Sequence, residues 1–264
     1  MEYSNIILEI KDKVAFLTLN KPETLNALSD DLCSDLMDII TKLEDEESVR
    51  VLVITGAGRA FSAGGNIKKM QERISSNWTL LEDRNRTLNT HKLLKKIYHY
   101  KKPIVMGING IAAGAGCNLA LSGDISIACE SATFVQAFIK IGLVPDWGGT
   151  FHLVRLIGIQ KAKDLIFTGR KVTAIEAEKM NMISRVVPDT DFTRYINDYA
   201  LNLASSPLQA ILLSKNMLNK SYNETFENML DYEAYAQLVA RRTNDHIEGV
   251  KAFLEKRKPT FTSS

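Results

Sequence analysis

Asp146 lies in the run Leu143-Val144-Pro145-Asp146-Trp147-Gly148-Gly149, a lone carboxylate among apolar and turn-forming residues. Neighbours such as Pro145 and Trp147 strip water from a carboxylate, which raises its pKa toward the range where it can take and return a proton. The residue also stands just ahead of a predicted helix over Gly148–Ile157, so it equally suits an N-terminal cap. Two glycine-rich segments supply the other candidate chemistry. They are Phe61-Ser62-Ala63-Gly64-Gly65-Asn66 and Gly110-Ile111-Ala112-Ala113-Gly114-Ala115-Gly116-Cys117-Asn118. Small residues let backbone approach a ligand closely, and unpaired N–H groups at a helix start favour negative charge. The plainer alternative is that these glycines only make turns and tight helix–strand contacts. Neither segment carries the GK[ST] of a phosphate-binding loop or a GxGxxG, so a dinucleotide fold has little support.

Other chemistries are argued against by what is missing. Four histidines (His91, His99, His152, His246) show no HExxH-like spacing, and three scattered cysteines (Cys33, Cys117, Cys129) form no CxxC pair. Neither a metal site nor a disulfide framework is expected, and the compartment is expected to be reducing. The 33 basic and 31 acidic residues leave a formal charge of +2, which gives no electrostatic case for nucleic acid or an anionic membrane. The uncharged stretch from Pro103 to Gly123 is long enough to span a bilayer, but five glycines and three polar residues interrupt it. A buried strand, loop and helix fit it better. The first residues lack a basic segment followed by an apolar core, so the expectation is a cytoplasmic protein without a signal.

Positioning these groups falls to alternating strands and helices. Ile6–Ile10 and Val14–Leu19 read as a hairpin through Lys11-Asp12-Lys13. Ser29 then suits the N-cap of a helix whose Leu32, Leu36, Ile39, Ile40 and Leu43 share one face. Val51–Thr55, Ile104–Ile108, Ile125–Ala128 and Thr133–Val135 read as strands, and 79–99 as a helix. Beyond about residue 190 the pattern is helical only. The sequence thus predicts an α/β core over 1–190 and a helical region over 191–264, packed together.

These residues also carry a resemblance. Asn20-Lys21-Pro22, Leu25-Asn26-Ala27-Leu28 and Ala60-Phe61-Ser62-Ala63-Gly64-Gly65-Asn66-Ile67 come first. Lys102-Pro103-Ile104, the Gly110–Asn118 segment, Gly142-Leu143-Val144-Pro145-Asp146, Gly148-Gly149-Thr150 and Phe253-Leu254-Glu255-Lys256-Arg257 follow in order. The series is similar to the crotonase superfamily, the enoyl-CoA hydratases and isomerases, over nearly the whole chain. The resemblance implies a spiral of ββα units with a helical C-terminal region involved in assembly as a homotrimer or hexamer. It also implies an acyl-CoA thioester as substrate, with CoA as part of that substrate and no separate cofactor or metal. In that family two backbone N–H groups hold the thioester oxygen as an enolate forms; matched to this chain they are those of Gly65 and Ala115. Leu25, Ala63, Gly65 and Ile67 would lie along CoA and its acyl group, Phe138 would line the acyl pocket, and Trp147 would shape that pocket or be plain core. Lys256 would reach a phosphate, with a solubilising tail as the alternative.

The chain departs from the family's hydratases at two positions. Where they carry glutamates, it has Asn118 and Phe138, neither of which can exchange a proton near neutral pH. The sequence Val-Pro-Asp before Gly-Gly resembles instead the branch of the phenylacetate-pathway ring isomerase, in which one aspartate is the acid/base. The expected activity is therefore an isomerase acting through Asp146. An enoyl-CoA hydratase with an atypical site and a non-catalytic acyl-CoA- or RNA-binding homologue are the alternatives. For Asn66 a local hydrogen bond is expected, and for His152 a surface or packing role. Asn118 would orient a water or Asp146, or simply be a satisfied buried amide. Lys92, Lys95, Lys96, Lys101 and Lys102 would form a solvated face and turn.

Overall fold

A computed structural model describes residues 3–76 and 78–262. Strands β1 (Ile6–Lys11) and β2 (Val14–Leu19) form the antiparallel hairpin, paired from Ile6 with Leu19 to Lys11 with Val14. Its two-residue turn puts Asp12 and Lys13 at φ of 49° and 67°, the mirror-image turn that follows the twist of the strands. Helix α1 (Asp30–Glu44) begins where Ser29 accepts a hydrogen bond from the Leu32 N–H and buries the five apolar residues of its predicted face.

Three strand–strand–helix units follow. The first holds β3 (Val51–Gly56), β4 (Ala60–Ser62), α2 (Ile67–Ser75) and α3 (Leu80–Tyr98). The second holds β5 (Ile104–Ile108), β6 (Ile111–Ala113) and α4 (Ala115–Ala120). In the third, β7 (Ile125–Cys129) and β8 (Thr133–Val135) lead through a short 3-10 turn at Ala137–Ile141 to α5 (Gly149–Thr168). The first strand of each unit joins one sheet, and the second joins another. With β9 (Lys171–Thr173), α6 (Ala174–Lys179) and β10 (Arg185–Val187) added, the sheets read β1-β2-β3-β5-β7-β10 and β4-β6-β8-β9. Pairing is parallel except at β1–β2 and β8–β9. The chain thus winds as the expected spiral.

Burial on both faces explains the unbroken apolar runs of β3 and β5. One of those faces is covered by α7 (Phe192–Ala204), whose Phe192 and Ile196 come within 3.5 Å of where a side chain on Gly107 would begin. The helical region therefore starts as part of the sheet's cover. It continues through α8 (Leu208–Lys220), α9 (Phe226–Ala240) and α10 (Asn244–Leu254), where Leu218, Tyr222, Phe226, Tyr235 and Phe253 stand exposed. Among the described residues no helix is long and apolar enough to cross a membrane.

The structure corrects several local expectations. The glycine segments are not loops throughout, because β4 and β6 open them, and these three-residue strands are too short to show a period of two. The helix expected at Gly148–Ile157 runs on to Thr168, with a break at Gly158. Lys102 is buried rather than solvated, and its ammonium donates to the Leu43 and Glu46 carbonyls at 2.8 and 2.7 Å.

Asn26 stitches the first unit together. Its backbone takes the left-handed φ of 53° that asparagine tolerates, and its buried amide donates to the Ala57 and Ala60 carbonyls at 2.9 and 2.8 Å. Its side-chain oxygen accepts from the Lys21 N–H at 2.9 Å. Replacing this group with an apolar one would leave two buried carbonyls without those donors. Asn26→Leu should lower stability by about 2–4 kcal/mol, read as a shift in the urea-unfolding midpoint at unchanged m-value.

Candidate functional site

The site begins where the two glycine segments meet. Gly64 has a φ of 83°, and a Cβ on it would overlap the Ala113 carbonyl oxygen and lie 3.0 Å from the Ala115 nitrogen. A Cβ on Gly116 would overlap the Ser62 carbonyl oxygen. The segments are therefore pressed together backbone to backbone. Hydrogen bonds hold each in place: Leu28 N–H to Gly64 O at 2.8 Å, Ala63 N–H to Leu25 O at 2.8 Å, and Gly114 N–H to Val135 O at 2.8 Å. Among the described residues the amides of Gly65 and Ala115 donate to no protein acceptor. Gly65 precedes α2, whose N-cap is Asn66 accepting from the Lys69 N–H at 3.1 Å, which is the local bond expected of Asn66. Ala115 is the first residue of α4.

Gly65 and Ala115 both line a cavity of about 180 Å³. Ala63, Ile67, Phe138, Asp146 and Trp147 line it as well, so seven residues singled out in the sequence share one space. Leu25 does not line it, although its carbonyl holds Ala63. Lys256 also stays outside the lining, and the neighbouring Arg257 folds back onto Glu248 through bonds of 2.6 and 2.8 Å. Sequence reasoning expected residues 70–100 to shape the pocket but named none of the wall that α3 supplies, Arg86, Thr87, Thr90 and His91. Their i, i+1, i+4, i+5 spacing places them on one helix face, but nothing in the spacing says what that face looks onto.

Asp146 is the one carboxylate among the lining residues. It sits on a loop that turns back on itself, with Leu143 N–H bonded to Phe138 O at 3.0 Å and Gly149 N–H to Asp146 O at 2.9 Å. Trp147 and Gly148 both have left-handed backbones, at φ of 50° and 67°. Gly148, not Asp146, occupies the N-cap of α5 and makes no side-chain cap bond, so the capping alternative for Asp146 falls away. Asp146 is exposed to solvent although it lines the cavity, and among the described residues it has no ion-pair partner. Burial raises its pKa above the ordinary aspartate value, opposed first by the positive charge of Arg86 and more weakly by His91. Arg86 itself bonds Asp30 at 2.9 Å.

Asn118 and Phe138 stand at the two positions where the resemblance leads one to expect a hydratase's glutamates. Asn118 is fully buried and donates to the Asp146 carbonyl at 2.7 Å, while Gln136 donates to its oxygen at 2.8 Å. Phe138 places its ring tip 3.8 Å from where a Cβ on Gly114 would stand, beside Ala115. His152 packs against Tyr98 and Phe151, and burial lowers its pKa to about 4. Cys117 is buried, and burial pushes its thiol up to about 12, unlike an activated nucleophile. Among the described residues no group of three His, Cys, Asp or Glu side chains is gathered to hold a metal ion.

Two backbone N–H groups without a protein acceptor among the described residues and one carboxylate thus belong to residues lining one cavity of this spiral of ββα units. The model of the enoyl-CoA hydratase/isomerase family matches residues 9–264. The chain belongs to that family. Over 97% of its length it is 37% identical to the 1,2-epoxyphenylacetyl-CoA isomerase of Escherichia coli K12, covering 98% of that protein. It is 34% identical to the short-chain-enoyl-CoA hydratase of Clostridium acetobutylicum, over 98% of this chain and 97% of that one. Among solved structures, an enoyl-CoA hydratase from Bacillus anthracis superposes with a TM-score of 0.93 at 31% identity, covering 99% of this chain and 100% of that one.

The electrostatics of the cavity generate a prediction. Removing the cation of Arg86 takes away the largest influence favouring the charged form of Asp146. In Arg86→Gln the Asp146 pKa should rise further, followed as the carboxyl carbon shift in a pH titration by carbon-13 NMR. A fall or no change would remove Arg86 as the main brake on that pKa.

Proposed function

We propose that this chain is an acyl-CoA isomerase that shifts a double bond, or rearranges a ring, next to a CoA thioester. The observation that carries the reading is that Asp146 is the one carboxylate in the cavity lined by the Gly65 and Ala115 amides. In this reading the thioester oxygen accepts hydrogen bonds from both amides. The Asp146 carboxylate removes a proton from the carbon next to the thioester, and the electron pair moves onto that oxygen as an enolate. Conjugation with the existing double bond carries the charge to the carbon two bonds further along. The same carboxyl group returns its proton there, leaving the double bond next to the thioester. One acid/base suffices because the proton that leaves is the proton that returns.

Magnitudes support this division of work. Preorganised donors favour the enolate oxygen over the ground-state carbonyl, each by about 3 kcal/mol. Hydration asks for more, since water must be activated on one carbon and a proton delivered to the other. Asn118 and Phe138 supply neither function. The likeness to a named hydratase keeps hydration as the second reading. The proposed step calls on no separate cofactor, with CoA entering as part of the substrate.

Assembly belongs to the same proposal. The apolar side chains exposed on α8–α10 suit packing against further copies of the chain, as a trimer or hexamer. Lys256 would then meet a phosphate of CoA across that boundary. Sedimentation equilibrium reads the stoichiometry directly, and a monomer would remove both suggestions.

Incubating the protein with 3-enoyl- and 2-enoyl-CoA esters in D₂O and following products by NMR separates the readings. Isomerisation gives 2-enoyl ester with little 3-hydroxyacyl product, whereas prompt 3-hydroxyacyl-CoA would overturn the proposal. Asp146→Asn should reduce isomerase kcat by about 10²- to 10⁴-fold, while the ester still binds. Since the ionised form is the base, kcat/KM should fall as the pH drops through the raised Asp146 pKa. Arg86→Gln should move that acid limb to higher pH.

A further inference from the structure

Asn118 stands where the family's hydratases carry a glutamate, and its surroundings show what the amide does instead. It is 0% exposed. Its Nδ2 donates to the Asp146 carbonyl oxygen at 2.7 Å, and its Oδ1 accepts from Gln136 Nε2 at 2.8 Å. A Cβ on Gly149 would overlap the same amide, so the start of α5 lies directly against it. Both polar ends of the side chain are thus engaged with protein.

We infer that Asn118 is a positioning residue that holds the backbone of Asp146, and with it the carboxyl group, in the cavity. This inference rests on the proposed role of Asp146. Trp147, the next residue, carries a left-handed backbone at φ 50°, a conformation an L side chain adopts only when its surroundings enforce it. Asn118 supplies part of that enforcement from α4, the helix that also carries the Ala115 amide. One six-residue element, Ala115–Ala120, therefore fixes a donor to the thioester oxygen and the loop of the acid/base. Their separation is held by covalent helix geometry and one short hydrogen bond.

Gln136 completes the arrangement by setting which way the amide faces. Its Nε2 donates to Asn118 Oδ1, which leaves Nδ2 as the end that meets the Asp146 carbonyl. A carboxylate at 118 could accept from Gln136 but, ionised, would present only acceptors to that carbonyl. The glutamate of a hydratase and the Asp146 loop of this chain are therefore alternative solutions for the same space.

Steady-state kinetics on a 3-enoyl-CoA ester test the inference with Asn118→Asp and Gln136→Leu. Asn118→Asp should lower kcat about 100-fold, the effect expected of a reacting group moved by about 1 Å, while KM for the ester changes less than about threefold. In an Asp146→Asn background the same substitution should cost almost nothing further, because the group it positions is already gone. Equal losses in both backgrounds, or an unchanged kcat, overturn the inference. A rise in KM alone, with kcat intact, does so too. Gln136→Leu leaves Asn118 in place and should reproduce the kcat loss in part, which keeps the question decidable if Asn118→Asp does not fold. If Asp146→Asn itself retains full kcat, the reading of Asp146 fails first, and that result is distinct from the others.

Discussion

The contact on which the site depends is the backbone-to-backbone approach of the segments around Gly64 and Gly116. No side chain fits between them, since a Cβ at either glycine would enter a carbonyl oxygen of the other segment. That closeness brings Gly65 and Ala115, each directly after a positive-φ glycine, to one cavity. It also explains why the spiral has two sheets. The short strands β4, β6 and β8 lie side by side, so each strand-to-helix turn of the first two units is delivered to its neighbour. In the proposed reaction a pair of donors placed this way would need no reorganisation as charge develops on the thioester oxygen.

The third unit brings a different group. Its loop between the 3-10 turn and α5 carries Asp146 into the cavity, but through two successive left-handed residues, Trp147 and Gly148. Such a loop would not hold its shape alone, and the bonds from Asn118 and from the Gly149 N–H to the Asp146 carbonyl supply the restraint. Partial desolvation then tunes the carboxyl group, which stays exposed to solvent. It raises the carboxyl pKa, while Arg86 on α3 keeps the charged form within reach. The cavity is thus walled by α2, α3, the start of α4 and the 3-10 turn with the loop after it, whereas α8–α10 leave much of their apolar surface uncovered.

Much of this architecture could be read from residue order. Periodicity placed the hairpin, α1, β3, β5 and β7 to within a residue or two, because long apolar patterns reflect burial directly. In the second sheet β8 was read at Thr133–Val135, whereas β4, β6 and β9 were not legible. β4 and β6 are three residues long, built partly of Ala and Ser, and held by their neighbours rather than by their own propensity. Helix α5 was cut short in the reading because Gly158 breaks its backbone while the helix resumes beyond it.

The sequence by itself determined the chemical inventory. It showed one acidic residue in the loop before α5, amide and phenyl groups at positions 118 and 138, and glycines where backbone would need to come close. These are statements about which functional groups exist, and covalent structure decides them. Tertiary structure alone decided which groups face one another. It removed Asp146 from the role of helix cap, gave Asn118 both of its partners, kept Lys256 out of the cavity lining and turned the polar face of α3 into a wall. Most of those outcomes depend on residues well separated in the chain, such as Asn118 and Asp146, 28 positions apart. Distances between such residues follow from how sheets and helices pack, which no local spacing records.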